Sequence, residues 1–296
     1  MTTMQNWIDE TRSLLLSGFG EERNKLASAY TAGGTSLTFT YPLGGIRAGS
    51  RLSIGTNNFY VYAVDGLTAT VAGGEDSTTD ANASSGAVVR VNPRFPDNEI
   101  WNALIDDLSD LSSPMNGLFA IGTVDFTYLN SRNGYDLGSI ASSLIDGYEV
   151  KYLTNGGFKD TPRMPKDSWR INRNVNTTEI ASGLSIELFQ PAEQGLNVRL
   201  TYKSTFTAPT TLATDVSTTG LQTTAYDLPP IGAAIRLMAG REIKRNFIES
   251  QGDTRRASEV SAGATMQSAN GLKQLRAQRI AQEAARLHAM YPIYRF

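Results

Sequence analysis

Between residues 35 and 41 the apolar residues of this chain fall on every second position, and that period restricts the stretch to a half-buried β-strand. Leu37, Phe39 and Tyr41 alternate with threonines, and strand-like runs follow at 51–55, 59–64 and 67–71. Asp65-Gly66 separates the last two runs. The pair predicts a type I′ hairpin turn, because it tolerates the positive backbone angles that turn requires. Residues 73–85 hold almost no bulky side chain and read as an exposed loop, after which 88–91 closes the module as a final strand. A small β-barrel-like module over 33–92 is the expectation.

Elsewhere the period switches. Residues 4–16 place Trp7, Ile8, Leu14 and Leu15 at helical spacing. After the rigid corner Asn92-Pro93-Arg94-Phe95-Pro96, Asp97 is placed as the N-cap of a helix to about residue 111, with Ile100, Leu104, Ile105, Leu108 and Leu111 as its stripe. Short β-like runs at 119–129, 148–153, 169–175, 184–189 and 198–206 predict an all-β sandwich over 118–207. A threonine-rich stretch, 208–229, reads as a linker. A helix is expected after Pro229-Pro230, carrying Ile231, Ile235, Ala239, Ile243 and Phe247 on one arc, and a second from about 268 to 290, ended by Pro292. An amphipathic helix cannot bury its stripe alone. The expected fold class is therefore α+β: helices from 1–32, 93–117 and 230–290 form a four-helix core into which the two β-modules are inserted, with 291–296 as a docking tail.

The chain has no cysteine and one histidine, His288. Thiolate chemistry is excluded, and so are most routes to zinc or a Ser-His-Asp triad. Asp106, Asp107 and Asp110 read as the solvated face of their helix. Gly18-Phe19-Gly20 lacks the third glycine and preceding strand of a dinucleotide fingerprint. Asn130, Asn133 and Asp136 offer oxygen ligands for calcium, but such clusters are generally turns. The expectation is a non-enzyme without cofactor or metal. No stretch is apolar enough for a membrane span and residues 1–10 lack a signal-peptide pattern, so synthesis in the cytoplasm and no membrane partner are expected.

Residues 231–296 hold 11 Lys and Arg against 5 Asp and Glu, net +6, which leaves −8 on the 230 residues before them. A basic end on an acidic body points to an oriented molecule. Arg276, Arg279, Glu283 and Arg286 form a line on the last helix, and Ala277, Ala281, Ala284 and Ala285 give it a smooth opposite face; together they predict a subunit interface. Arg255 and Arg256, in a small-residue loop, suit a pore lining that touches phosphates without reading bases. The tail, Tyr291 to Phe296, is too apolar to stand alone in water and is expected to dock. Trp169, Tyr135, Tyr148, Tyr152 and Phe158 crowd the second β-module, which supports an alternative reading as a carbohydrate- or receptor-binding sandwich.

Three pieces of the chain resemble the head-to-tail connector, or neck adaptor, proteins of tailed bacteriophages. They are Gly49-Ser-Arg-Leu-Ser-Ile-Gly55 with Phe59-Tyr-Val-Tyr-Ala-Val-Asp-Gly66 and Thr68-Ala-Thr-Val71; Gly86-Ala-Val-Val-Arg-Val-Asn-Pro-Arg-Phe-Pro96 leading into the helix at Asp97; and Ile231 to Met238 with Arg241-Glu-Ile-Lys-Arg245 and 272–292. The resemblance implies a virion structural protein of the neck, forming a homo-oligomeric ring, usually twelvefold, between the portal protein and the stopper or tail terminator. Genomic double-stranded DNA would pass through its pore. It also implies that Tyr291, Ile293, Tyr294 and Phe296 anchor the chain to the portal. The family's usual first motif carries an acidic residue near Asn57 and a basic one near Gly73, which this chain lacks.

Overall fold

The structure is a computed structural model that describes residues 2–16, 21–153, 163–249 and 264–292, with backbone only for 239–249 and 264–266. The chain divides into two compact units: Met1–Leu108 with Pro209–Val216 and Tyr226–Arg279, and Ser109–Ala208 with Ser217–Ala225 and Ile280–Phe296.

The first unit opens with helix α1 (Met4–Leu16), whose first turn is closed by Asn6: its Oδ1 accepts from the Thr3 N–H at 2.8 Å and the Thr3 hydroxyl at 2.7 Å. This is the returning half of a capping box. Strands β1 (Arg23–Lys25), β2 (Ser36–Thr38), β3 (Arg51–Ile54), β4 (Asn57–Asp65), β5 (Thr68–Gly73) and β6 (Val88–Val91) form one antiparallel sheet in the order β1-β6-β3-β4-β5-β2. It curls until its edges meet at a Leu26–Phe39 bridge, where the Ala27 and Thr40 N–H groups donate to the Thr38 and Lys25 carbonyls, each at 2.8 Å. Leu37, Phe39, Leu52, Phe59, Val61 and Val89 fill the concave side.

The hairpin turn is shifted by one residue from the sequence expectation. Asp65 pairs with Thr68, so the loop is Gly66-Leu67, and within it Gly66 alone has a positive φ, 58°. That is the pattern of a type II′ turn, which needs glycine only at its first central position.

Helix α2 (Asp97–Leu111) starts where expected, but Asp97 is not its cap. The Pro96 carbonyl accepts the first helical N–H, from Ile100 at 3.2 Å, and the Asp97 carboxylate is held by Arg12 and Arg90. Helix α3 (Leu228–Glu249) begins before the proline pair rather than after it. Pro229 and Pro230 occupy its first turn, where a missing N–H leaves no helical bond unmade. It packs against α1, and Trp7 meets Tyr226 edge-on at 5.9 Å.

The second unit is built on β7 (Ala120–Thr127), β8 (Gly134–Asp136), β9 (Leu144–Leu153), β10 (Trp169–Asn172), β11 (Ser185–Leu188) and β12 (Asn197–Ser204). They form two three-stranded antiparallel sheets, β7-β12-β9 and β10-β11-β8, which share a core containing Val150, Trp169, Ile186, Val198 and Leu200. β8 covers part of the cluster considered for calcium. The Asp136 Oδ1 accepts the Gly138 N–H at 2.7 Å, so this carboxylate closes a turn. Residues 208–229 are not a free linker: Val216 donates to the Thr2 carbonyl at 3.0 Å, Thr207 donates to that of Thr219 at 3.0 Å, and short 3-10 turns cover Val216–Thr219 and Thr223–Ala225.

The expected four-helix core with inserted β-modules is overturned. The molecule is mostly β, with three sheets and, among the described residues, four α-helices. The reason lies in where the apolar side chains go. Each β-rich region encloses a core of its own, so neither is an appendage. Helix α4 (Ala264–Met290), whose residues are shared between the two units, buries Ala269, Ile280, Glu283 and Leu287 and leaves Leu275 and Met290 about half exposed. Such a narrow stripe belongs to a surface helix, not to the centre of a bundle.

Candidate functional site

The line of charges on α4 finds partners within the chain. Arg276 donates to the Asp107 Oδ1 at 2.9 Å, and Arg279 grips Asp227 with two bonds, at 2.9 and 3.1 Å. Glu283 accepts from the Thr224 hydroxyl at 2.8 Å and lies 3.7 Å from Arg286. These arginines are thus paired with acids of their own chain. Asp107, expected on a solvated face, is buried, while Asp106 and Asp110 are exposed. What α4 offers outward is its other side: Leu275, Ala277, Ala281 and Ala285 are exposed.

Tyr291 is likewise engaged at home. Its ring meets Tyr148 at 5.7 Å and 90°, and Phe119 at 6.3 Å; the Tyr148 hydroxyl donates to the Pro292 carbonyl at 3.3 Å. Tyr291 thus packs within the second unit. Ile293, Tyr294 and Phe296 lie outside the described residues, as do Arg255, Arg256, Phe158 and the Gly18-Phe19-Gly20 run.

The most developed polar site was not singled out in the sequence. Arg12 of α1 and Arg90 of β6 lie nearly buried, with side chains 4% and 7% exposed, among Asp9, Glu21 and Asp97. Arg12 contacts Asp97 directly and reaches Asp9 at 3.1 Å and Glu21 at 3.5 Å. Arg90 reaches Asp9 at 3.2 Å and Asp97 at 3.3 Å. Burial raises the Asp97 carboxyl above the ordinary carboxylate range despite both arginines. The same desolvation lowers Arg90. Two arginines against three carboxylates join α1 to the sheet and to α2, and Asp9, Arg12, Arg90 and Asp97 of this cluster form one wall of an open cavity of about 860 Å³. Leu16, Ile54, Ala87, Val88 and Leu212 supply its apolar wall, and Ser13, Arg23 and Asn57 lie on it as well. The sequence signal was slight: one arginine inside an apolar helix face and another inside an apolar strand, each of which requires an acid when buried.

His288 is exposed and lies against the Phe119 ring at 6.3 Å. Among the described residues no three His, Asp or Glu side chains come together as metal ligands, and no helix is long and apolar enough to cross a membrane. No protein-family model and no curated protein matches the chain. The sugar-binding alternative depended on exposed rings, and Trp169 and Tyr135 are 5% and 7% exposed. The Lys166 ammonium sits 3.9 Å over the Trp169 ring, so the indole is core with one face capped by a cation.

Proposed function

We propose that this chain is a structural subunit of a phage neck: an adaptor that assembles into a homo-oligomeric ring between portal and tail and surrounds the exiting DNA. The observation that carries the reading is the outward side of α4. A 27-residue helix that buries one narrow stripe and presents Leu275, Ala277, Ala281, Ala285 and Met290 to solvent is built to lie against other chains. The order of motifs along the chain supports the same reading, as does a polar chemistry spent on internal ion pairs. Negative-stain microscopy of the purified chain, alone and mixed with portal rings, tests it. Rings, or portal particles with added density, are the expected result; a chain that stays monomeric and never joins portal rings would refute the proposal.

A further inference from the structure

The second unit holds a cavity of about 250 Å³ lined by Asp146, Lys166, Trp169, Arg170, Ile171 and Arg173, so hydrogen-bond donors dominate its wall. Lys166 comes from the 3-10 turn Lys166–Ser168, Trp169 to Ile171 come from β10, and Arg173 follows that strand. Backbone carbonyls of β9 hold two of the cations. The Lys166 ammonium donates to Gly147 at 3.0 Å, and the Arg173 Nη2 donates to Ile145 at 2.6 Å and Leu144 at 3.3 Å. Among the described residues neither cation forms an ion pair. Arg170 differs, because Glu187 accepts from its Nε at 3.1 Å and its Nη2 at 2.6 Å. Trp169 is 5% exposed, and its indole N–H has no partner among the described residues. A buried donor left unpaired is costly, and an acceptor bound in the cavity that this side chain lines would satisfy it.

The charges point the same way. Burial lowers the Lys166 ammonium below its ordinary value; Asp146 partly offsets this and Lys203 adds to it. An anion in the cavity would relieve that cost. Lys166, Arg170, Arg173 and Lys203 against Asp146 and Glu187 leave two positive charges, and one still remains when the exposed Asp167 of the neighbouring turn is counted. A phosphoryl group carries between about one and a half and two negative charges at neutral pH and offers three strong acceptor oxygens. It can take bonds from several directions, as this donor set requires, whereas a carboxylate has two oxygens in one plane. The volume falls below the roughly 300 Å³ at which pockets for drug-sized ligands begin, so it suits such a group and little more.

We propose that this cavity binds a phosphate-sized oxyanion, either inorganic phosphate or the phosphoryl group of a small monoester, with Lys166, Arg173 and the Trp169 indole as its donors. The site belongs to the second unit alone and does not rest on the neck role. The three tryptophans, Trp7, Trp101 and Trp169, give three indole signals in a nitrogen–proton correlation spectrum of the full chain. Single phenylalanine variants assign them, and any two that fold are enough. Sodium phosphate added in a chloride buffer should move the Trp169 signal alone, and saturably. Lys166→Gln and Arg173→Gln, both at exposed positions, should each raise the midpoint at least tenfold with the far-ultraviolet dichroism unchanged. Arg132→Gln, at an exposed position elsewhere in the unit, should leave it where it was, and acetate should act at least tenfold more weakly than phosphate. Ribose 5-phosphate separates the two sources: a midpoint within tenfold of that of phosphate assigns a monoester, and a weaker response assigns the free ion. An unmoved Trp169 signal, a shift shared by all three indoles, an equal response to acetate, or a midpoint indifferent to both glutamine variants would overturn the site.

Discussion

Asp80 illustrates what a single residue does here. It sits in the small-residue run expected to be a loose loop, yet it accepts from the Tyr30 hydroxyl at 3.0 Å, the Gly33 N–H at 2.6 Å and the Asn57 amide at 2.8 Å. Burial pushes its carboxyl up, but those donors outweigh it and hold it below the ordinary aspartate value. Burial and the bond to Asp80 push the Tyr30 hydroxyl up to about 12. A depressed carboxyl contributes stability above its unfolded value and loses it as pH falls through the folded one. Asp80→Asn places amide hydrogens against these donors, so it should lower unfolding free energy by about 1–3 kcal/mol at neutral pH. It should also flatten the loss of stability below about pH 4. Urea midpoints of both chains measured down to pH 2 check both effects. Nothing in the loop's composition marks Asp80, since its partners lie 23, 47 and 50 residues away.

At the scale of elements, the position of most segments was legible while their ends and partners were not. The strand-like runs at 51–55, 59–64 and 67–71 became β3, β4 and β5, but the turn between β4 and β5 slid by one residue because a single glycine with positive φ suffices there. Helix α3 starts a turn earlier than its prolines imply, and what it packs against sets its glycine requirement. A Cβ at Gly232 would collide with the Asp107 carboxylate, which Arg276 holds in place. Glycine to alanine inside a helix ordinarily gains about 0.5–1 kcal/mol. Here the sign should reverse. Gly232→Ala should lose about 1–3 kcal/mol to overpacking, read from the thermal midpoint. Gly271, with nothing near its Cβ position, should show the ordinary gain in the same assay.

Across the whole molecule, each unit has its own hydrophobic centre, and a core substitution should act mainly where it is made. Leu200 is fully buried in the second unit. Leu200→Ala should cost about 2–5 kcal/mol there. Hydrogen exchange should quicken at the amides of β7, β9 and β12, while β3 to β5 keep their protection; equal quickening in both sheets would mean that the units unfold together. The sequence by itself determined the strand period, the start of α2, the absence of thiol chemistry and the basic character of the C-terminal stretch, because these depend on neighbours within a few residues. Which apolar sets would share a core depended on contacts between distant segments. So did the burial of Asp107, the pairing of the α4 arginines with acids of their own chain, and the assembly of Arg12 and Arg90 with three acids beside a cavity. A helical stripe or a lone arginine states a need for burial or for an opposite charge, and only the folded chain supplies the address where that need is met.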